Sequence, residues 1–384
     1  MKSISLLIKP VSSECNMRCN YCFYSDISDS RSKKNHGIMN FDILETIVKK
    51  ALSEASEHCV FGFQGGEPTL AGLDFFRYFI ELVARYNINN VKISHTIQTN
   101  GLLIDENWAE FFKKNKFLIG LSIDASKKIH DFIRLDCQGK GTHNRTLKAA
   151  RLLTKHGADF NILSVVTQQL AAHPESAYSF YKQNGFRYMQ FVPCIDGFSE
   201  APGANAYSLK PERYGSFLCH IFDLWYTDYI NKNYYSIRSF DNYILMLFGA
   251  PPESCAMRGV CSAYALIEAD GNVYPCDFYA IDEFLLGNIA EKGFEELLCG
   301  KKANNFIEPS KHMFPSCNSC NYNFICQGGC RRDREPLTGG ELSRNRYCES
   351  YKMFFEHALP RMAAIARTIC HAGVHKSRLL WNLK

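Results

Sequence analysis

Residues 4–22 read ISLLIKPVSSECNMRCNYC: a β-rich run, ISLLIK (4–9), followed by a loop that carries Cys15, Cys19 and Cys22. That order decides the fold. A strand that delivers three thiols into the loop beyond its C-terminal end is the arrangement of a parallel α/β sheet or barrel, where chemistry gathers at that end of the strands. The next β-rich run repeats the pattern, because CVFGFQ (59–64) leads straight into QGGEP (64–68).

Four more β-rich runs follow: NVKISHTIQ (90–98), FLIGLSID (117–124), FNILSVVT (160–167) and YMQFVP (188–193). Helix signals lie between them. Asn40 can cap a helix whose Leu44, Ile47, Val48, Ala51 and Leu52 follow i, i+3, i+4, i+7, i+8 spacing. LDFFRYFIELVARY (73–86), DENWAEFFKKN (105–115) and HPESAYSFYKQNG (173–185) are the others, the last ending on a glycine suited to a C-cap. Strand, helix, strand at this spacing implies parallel strands with right-handed crossovers, and about six units predict a partial (β/α)6 TIM-like barrel.

Beyond residue 195 the character changes. Residues 196–250 hold a Gly/Ser/Pro loop and aromatic helical stretches that read as a bridge. Residues 251–348 are rich in Cys, Gly and Asn, with a hairpin signal in ALIEADGNVYP, and predict a unit that folds around metal. YKMFFEHALPRMAAIARTI (351–369) reads as a helix kinked or broken at Pro360. The expected division is a barrel with bridging helices over 1–235, a cysteine-rich domain over 236–348 and a helical segment over 349–384.

The composition is ordinary for a globular protein: 384 residues, 46% apolar, 22% charged, formal net charge +5. No run of 18 apolar residues suggests a membrane span, the first residues lack a signal peptide's long apolar core, and scattered Lys and Arg give no nucleic-acid footprint. A cytoplasmic protein with neither membrane nor nucleic-acid partners is expected.

The chain has 17 cysteines, an odd number that suits metal better than a closed disulfide framework. Eleven cluster, at 15, 19 and 22 and at 255, 261, 276, 317, 320, 326, 330 and 348. The remaining six (59, 137, 194, 219, 299 and 370) are dispersed, and are read as small hydrophobes or as having no function. Three thiols in one loop suit three irons of a 4Fe-4S cluster, with the fourth iron open. A structural zinc needs four protein ligands, which this loop lacks; for the later eight cysteines, spacing alone leaves a pair of zinc ribbons open.

CNMRCNYC, with Tyr24 just beyond it and QGGEP one strand away, resembles the radical S-adenosylmethionine (SAM) enzymes. The resemblance implies that Cys15, Cys19 and Cys22 hold a cluster whose open iron binds the amino and carboxylate groups of SAM. One-electron reduction then releases a 5'-deoxyadenosyl radical. It further implies that Tyr24 lies along the adenine, that the Gly65–Gly66 backbone approaches the methionine amino group, and that Ser122 and Arg134 contact ribose or methionine and the carboxylate. Ile195 matches an aliphatic position near adenine. The later cysteines resemble the SPASM extension of peptide-modifying radical enzymes, with Cys255 as the eighth. This implies two auxiliary 4Fe-4S clusters, one on Cys255, Cys261, Cys276 and Cys330 and one on Cys317, Cys320, Cys326 and Cys348.

Blocks along nearly the whole chain, among them SLLIKP, FQGGEPTLAGL, QTNG, FDLWY, YPCDFY, CQGGCRR and YCESYK, are similar to the anaerobic sulfatase-maturating enzymes. The chemistry implied is oxygen-independent oxidation of a cysteine or serine, in a Cys/Ser-x-Pro-x-Arg motif of an unfolded or nascent sulfatase, to Cα-formylglycine. The side chain loses a hydrogen atom from Cβ, then an electron and a proton. By resemblance Asp277 is the base for that proton; Gln64 at the barrel mouth is read either as a substrate contact or as a brace for its loop, and a low-potential ferredoxin or flavodoxin would fit as electron donor. The alternatives are a SPASM maturase that crosslinks ribosomal peptides, disfavoured because the chain starts directly at its first strand, and a zinc-dependent binding module.

Overall fold

The computed structural model describes residues 1–198, 200–335, 337–338 and 341–371. Eight strands form its parallel framework, and the first six are β1 (Ser3–Ile8), β2 (His58–Phe63), β3 (Lys92–Thr99), β4 (Phe117–Ser122), β5 (Phe160–Val166) and β6 (Tyr188–Pro193). Each pairs in parallel with the next in sequence, so the sheet is singly wound as in a barrel, not doubly wound. β6 and β1 do not pair. A short strand, β7 (Ser236–Ile237), extends the β6 edge.

The other edge answers a question that the sequence left open. β8 (Ala265–Ile267) pairs in parallel with β1, through Leu6↔Ala265 to Ile8↔Ile267. β9 (Asn272–Tyr274) and β10 (Gly287–Asn288) then add antiparallel strands. The cysteine-rich segment therefore continues the barrel's own sheet, and one ten-stranded sheet runs across the expected boundary at 235/236.

The helices follow their sequence signals closely. Helix Phe41–Glu54 is capped by Asn40, whose Oδ1 accepts from Ile43 N at 2.8 Å, and buries the five predicted apolar residues. Helix Leu73–Tyr86 has the expected limits, and Glu106–Lys114 is capped by Asp105. Pro174–Gln183 is followed by Gly185 at φ +72. The helices Lys127–Ile133 and His143–His156, between β4 and β5, were not foreseen. Phe61, Phe63, Phe76, Phe79, Phe112 and Phe117 fill the first core under β1–β4, each burial contributing about 1.5–3 kcal/mol before entropy.

Two expectations need correction. The cysteine-rich segment does not depend on metal alone for its packing: helices Phe294–Cys299 and Lys301–Lys311 insert Phe294, Leu297, Ala303 and other apolar residues into the barrel's first core. Helix Cys348–His371 is unbroken at Pro360 and packs along helix Pro211–Ile230, where Phe354, Ala358 and Met362 join the second core. Residues 372–384 of the expected terminal segment, and the Cys370 side chain, lie outside the described residues. Among the described residues no helix is long and apolar enough to cross a membrane.

Candidate active site

Cys15, Cys19 and Cys22 lie half-buried in the loop after β1, and Cys22 caps the helix Phe23–Asp29. Burial pushes the Cys15 and Cys19 thiols up to about 12, with neighbouring charges adding to it in Cys15 and opposing one another in Cys19. Backbone and side-chain amides face the sulfur of Cys15, Met17 N at 3.4 Å and Asn100 Nδ2 at 3.9 Å. Such N–H···S contacts suit a ligating thiolate.

Several of the eight later cysteines lie close enough to influence one another. After burial, Cys330 is raised by Cys255 and Cys261 among its neighbours, Cys276 by Cys330, and Cys255 by Cys261. Likewise Cys326 is pushed up to about 11 by burial, then by Cys348, Cys317 and Cys320, while Cys317 responds to Cys320 and Cys348 to Cys317. Among the described residues no three His, Cys, Asp or Glu close round a single ion. The donor sets of three, four and four thiols fit iron-sulfur clusters.

QGGEP turns at the end of β2 with Gly65 at φ +101 and Gly66 at φ +59. The glycines are required by the protein's own chain. A Cβ on Gly65 would overlap the Lys9 side chain, and one on Gly66 the Glu14 carbonyl oxygen. They let the loop close over the cysteine loop, where Glu67 N donates to Glu14 O at 2.8 Å. Glu67 itself is buried. Its carboxylate accepts from Thr69, from Thr99 Oγ1 at 2.7 Å and from Asn100 N at 2.7 Å, locking the ends of β2 and β3 together.

Ser122, the last residue of β4, accepts from Gln98 Nε2 at 2.9 Å. Arg134 engages Asp124 through Nε at 2.7 Å and Nη2 at 3.3 Å, a buried two-point pair. Asp124 also accepts from Tyr21 Oη at 2.7 Å and Val165 N at 3.0 Å. One edge of the guanidinium that the sequence assigned to a SAM carboxylate is thus committed to Asp124. Ile195 is half-buried just beyond β6, whose following loop is tied to the cysteine-rich segment by Arg332 Nη2 donating to Asp196 O at 2.7 Å and by the Arg346–Asp196 ion pair at 2.9 Å.

Gln64, Tyr24 and Asp277 come together. The Tyr24 hydroxyl lies 3.4 Å from Asp277 Oδ2 and sits beside the Gln64 side chain. Asp277 follows Cys276 at the end of the β8–β9 hairpin and is 8% exposed. Burial raises its pKa above the usual carboxylate range, against hydrogen bonds from Tyr264, Cys276 and Tyr24. A buried carboxylate of raised basicity between a three-thiol loop and a four-thiol set can accept a proton next to redox groups.

Sequence reasoning missed five residues that build the site: Asp124, Glu67, Tyr264 and the buried pair Lys9–Glu268. Lys9 directly follows β1 and its Nζ sits 5.2 Å from the Tyr24 ring centroid, and its ion pair with Glu268 ties the barrel to the hairpin. Glu268 also receives Arg31 Nη1 at 2.5 Å. The only signal was a lysine at the end of an apolar strand and a glutamate in an apolar hairpin arm.

The radical SAM superfamily matches residues 10–175, and SPASM, an iron-sulfur cluster-binding domain, matches residues 255–321. A cysteine-type anaerobic sulfatase-maturating enzyme of Clostridium novyi is 45% identical over 371 residues, 97% of this chain and 99% of its own. The chain belongs to the anaerobic sulfatase-maturating enzymes. A serine-type member of this family, from Bacteroides thetaiotaomicron, is 31% identical over 94% of the chain and 91% of its own. Among solved structures, native anSMEcpe with bound AdoMet and a Cp18Cys peptide superimposes with a TM-score of 0.92 at 46% identity, covering 96% of this chain and 99% of that one. As an anaerobic sulfatase-maturating enzyme, the chain is a radical SAM oxidoreductase whose cofactors are 4Fe-4S clusters and SAM.

Proposed function

We propose that this enzyme oxidises a cysteine in a Cys-x-Pro-x-Arg segment of an unfolded or nascent sulfatase to Cα-formylglycine, without oxygen. The observation that carries the reading is the meeting of Gln64, Tyr24 and Asp277 between the Cys15/Cys19/Cys22 loop and Cys276. Cys15, Cys19 and Cys22 would hold the SAM-binding cluster. Cys255, Cys261, Cys276 and Cys330 would hold the first auxiliary cluster, and Cys317, Cys320, Cys326 and Cys348 the second. When bound, SAM and its cluster supply the radical that removes hydrogen from the substrate Cβ.

The residues of the chain do the rest. Asp277 accepts the proton that the substrate thiol gives up, and its burial keeps competing water away. Tyr24 orients the carboxylate from the barrel side with Gln64 beside it, and Gly65 and Gly66 bring the β2 loop onto the cysteine loop. Arg134, Ser122 and Ile195 line the SAM side, Arg134 with its charge fixed in place by Asp124. Cysteine is favoured over serine as the target because identity to the cysteine-type relative is 45%, against 31% for the serine-type. A low-potential ferredoxin or flavodoxin is the matching reductant, and the free thiols suit a reducing cytoplasm.

The test is anaerobic turnover of a Cys-x-Pro-x-Arg peptide and its serine counterpart, followed by mass spectrometry. The cysteine peptide should lose the mass expected for formylglycine. Efficient SAM cleavage beside intact peptide would reject the sulfatase assignment and spare the radical one.

A further inference from the structure

The Tyr264 hydroxyl makes three contacts around the Asp277 carboxylate. It donates to Oδ1, accepts from the Asp277 backbone N–H at 3.0 Å, and lies 3.7 Å from Cys276 Sγ. The backbone fixes its position: Tyr264 N donates to Pro275 O at 3.1 Å, and the next residues enter β8, where Leu266 and Ile267 pair with Tyr274 and Val273. The hairpin ladder therefore delivers this hydroxyl to the loop that carries Cys276 and Asp277.

Cys276 Sγ is 3.5 Å from Asp277 Oδ1. A thiol can donate across that distance, but a thiolate ligand has no proton to give, and two anionic acceptors would then face each other. Tyr264 is the donor that remains on Oδ1. Oδ2 points the other way, towards Tyr24 at 3.4 Å.

We propose that Tyr264 is a positioning residue for the oxidation: it binds Oδ1, bridges it to the cluster-ligating cysteine, and so leaves Oδ2 as the oxygen that accepts the substrate's proton. This rests on Asp277 being the base. Because the phenol holds both the carboxylate and the backbone N–H of one residue, its removal should free the Asp277 side chain without opening the hairpin, whose ladder is made by backbone.

The experiment compares Tyr264→Phe, Asp277→Asn and the double variant as reconstituted holoenzymes. Iron content and the electron paramagnetic resonance spectrum of the reduced auxiliary clusters are measured with turnover of a Cβ-deuterated peptide. Tyr264→Phe should keep its iron and still pass deuterium into 5'-deoxyadenosine, while formylglycine formed per SAM cleaved falls about tenfold, as for loss of a general-base contribution. The double variant should be no worse than Asp277→Asn, since Tyr264 acts through that residue. Unchanged yield in Tyr264→Phe beside a defective Asp277→Asn would overturn the positioning role and leave the base standing. Full yield in Asp277→Asn would overturn both. Loss of iron from Tyr264→Phe, or a double variant worse by the full Tyr264→Phe factor, would show a structural or independent role and overturn the proposal.

Discussion

The Tyr24 hydroxyl and the Asp277 carboxylate lie 3.4 Å apart although 253 residues separate them in the chain. Tyr24 stands two residues past the last cysteine of the first loop, and Asp277 one residue past a cysteine of the second constellation. The contact joins the side that binds SAM to the side that would hold the first auxiliary cluster. On the proposed function, that contact is where peptide oxidation would take place.

Asp277→Asn should keep its three clusters and cleave SAM, yet lose most formylglycine formation, about 10²-fold or more if it is the base. Iron analysis with peptide mass spectrometry checks it. Unchanged product would remove Asp277 from the mechanism.

Gly66→Ala should lose SAM cleavage by about tenfold or more, because its Cβ overlaps the Glu14 carbonyl and pushes the β2 loop off the cysteine loop. Gly72→Ala is the control. It has a comparable φ of +82 but open space around the position, so it carries backbone strain alone. Equal loss in both variants would mean that strain, not the close approach, is responsible.

Glu268→Gln should destabilise the enzyme by about 3–5 kcal/mol, since it leaves Lys9 and Arg31 buried without their counter-ion. Burial opposes ionisation of Glu268, but the two cations overcome it and hold the carboxyl down at about 2, so it is charged throughout the useful pH range. Anaerobic thermal unfolding measures the loss. A melting temperature within experimental error of the parent's would show that the pair contributes nothing net.

Asp241 gives a pH signature. It is 2% exposed, accepts from Ser236 Oγ at 2.5 Å through Oδ2, and has no hydrogen-bond partner for Oδ1. Burial pushes its pKa from 3.8 up to about 7. Between those values the folded protein holds a proton that the unfolded chain has lost, so this group's contribution to stability falls as pH rises through the window. Asp241→Asn should gain on the order of 2–4 kcal/mol at pH 8 and almost nothing at pH 4. Parallel unfolding curves for parent and variant across this range would contradict it.

Much of this architecture was legible because it is written in local periods. The strand runs and the apolar spacing of 40–52 and 73–86 are nearest-neighbour signals, and they marked the six parallel strands and most of their helices. Helix His143–His156 escaped because its buried face is built mostly of small or polar residues, His143, Thr146, Ala149 and Ala150, with Leu153 as its one large apolar member, which gives a weak apolar stripe. At Pro360 the break that the sequence allowed does not occur: a proline weakens a helix locally, but packing along helix Pro211–Ile230 carries the helix through.

The sequence by itself determined the thiol constellations, the strand ends that bear them and the family to which they belong, because ligand spacing and strand order are local along the chain. The tertiary structure alone decided what those ends meet. It put β8 beside β1, so that one sheet carries both the cysteine loop and the hairpin, and it spent Glu67 and an edge of Arg134 on internal partners. It also closed Tyr24 and Tyr264 around Asp277. Such contacts depend on which strands become neighbours, and that is settled by burial and closure of the whole sheet, not by any short stretch of residues.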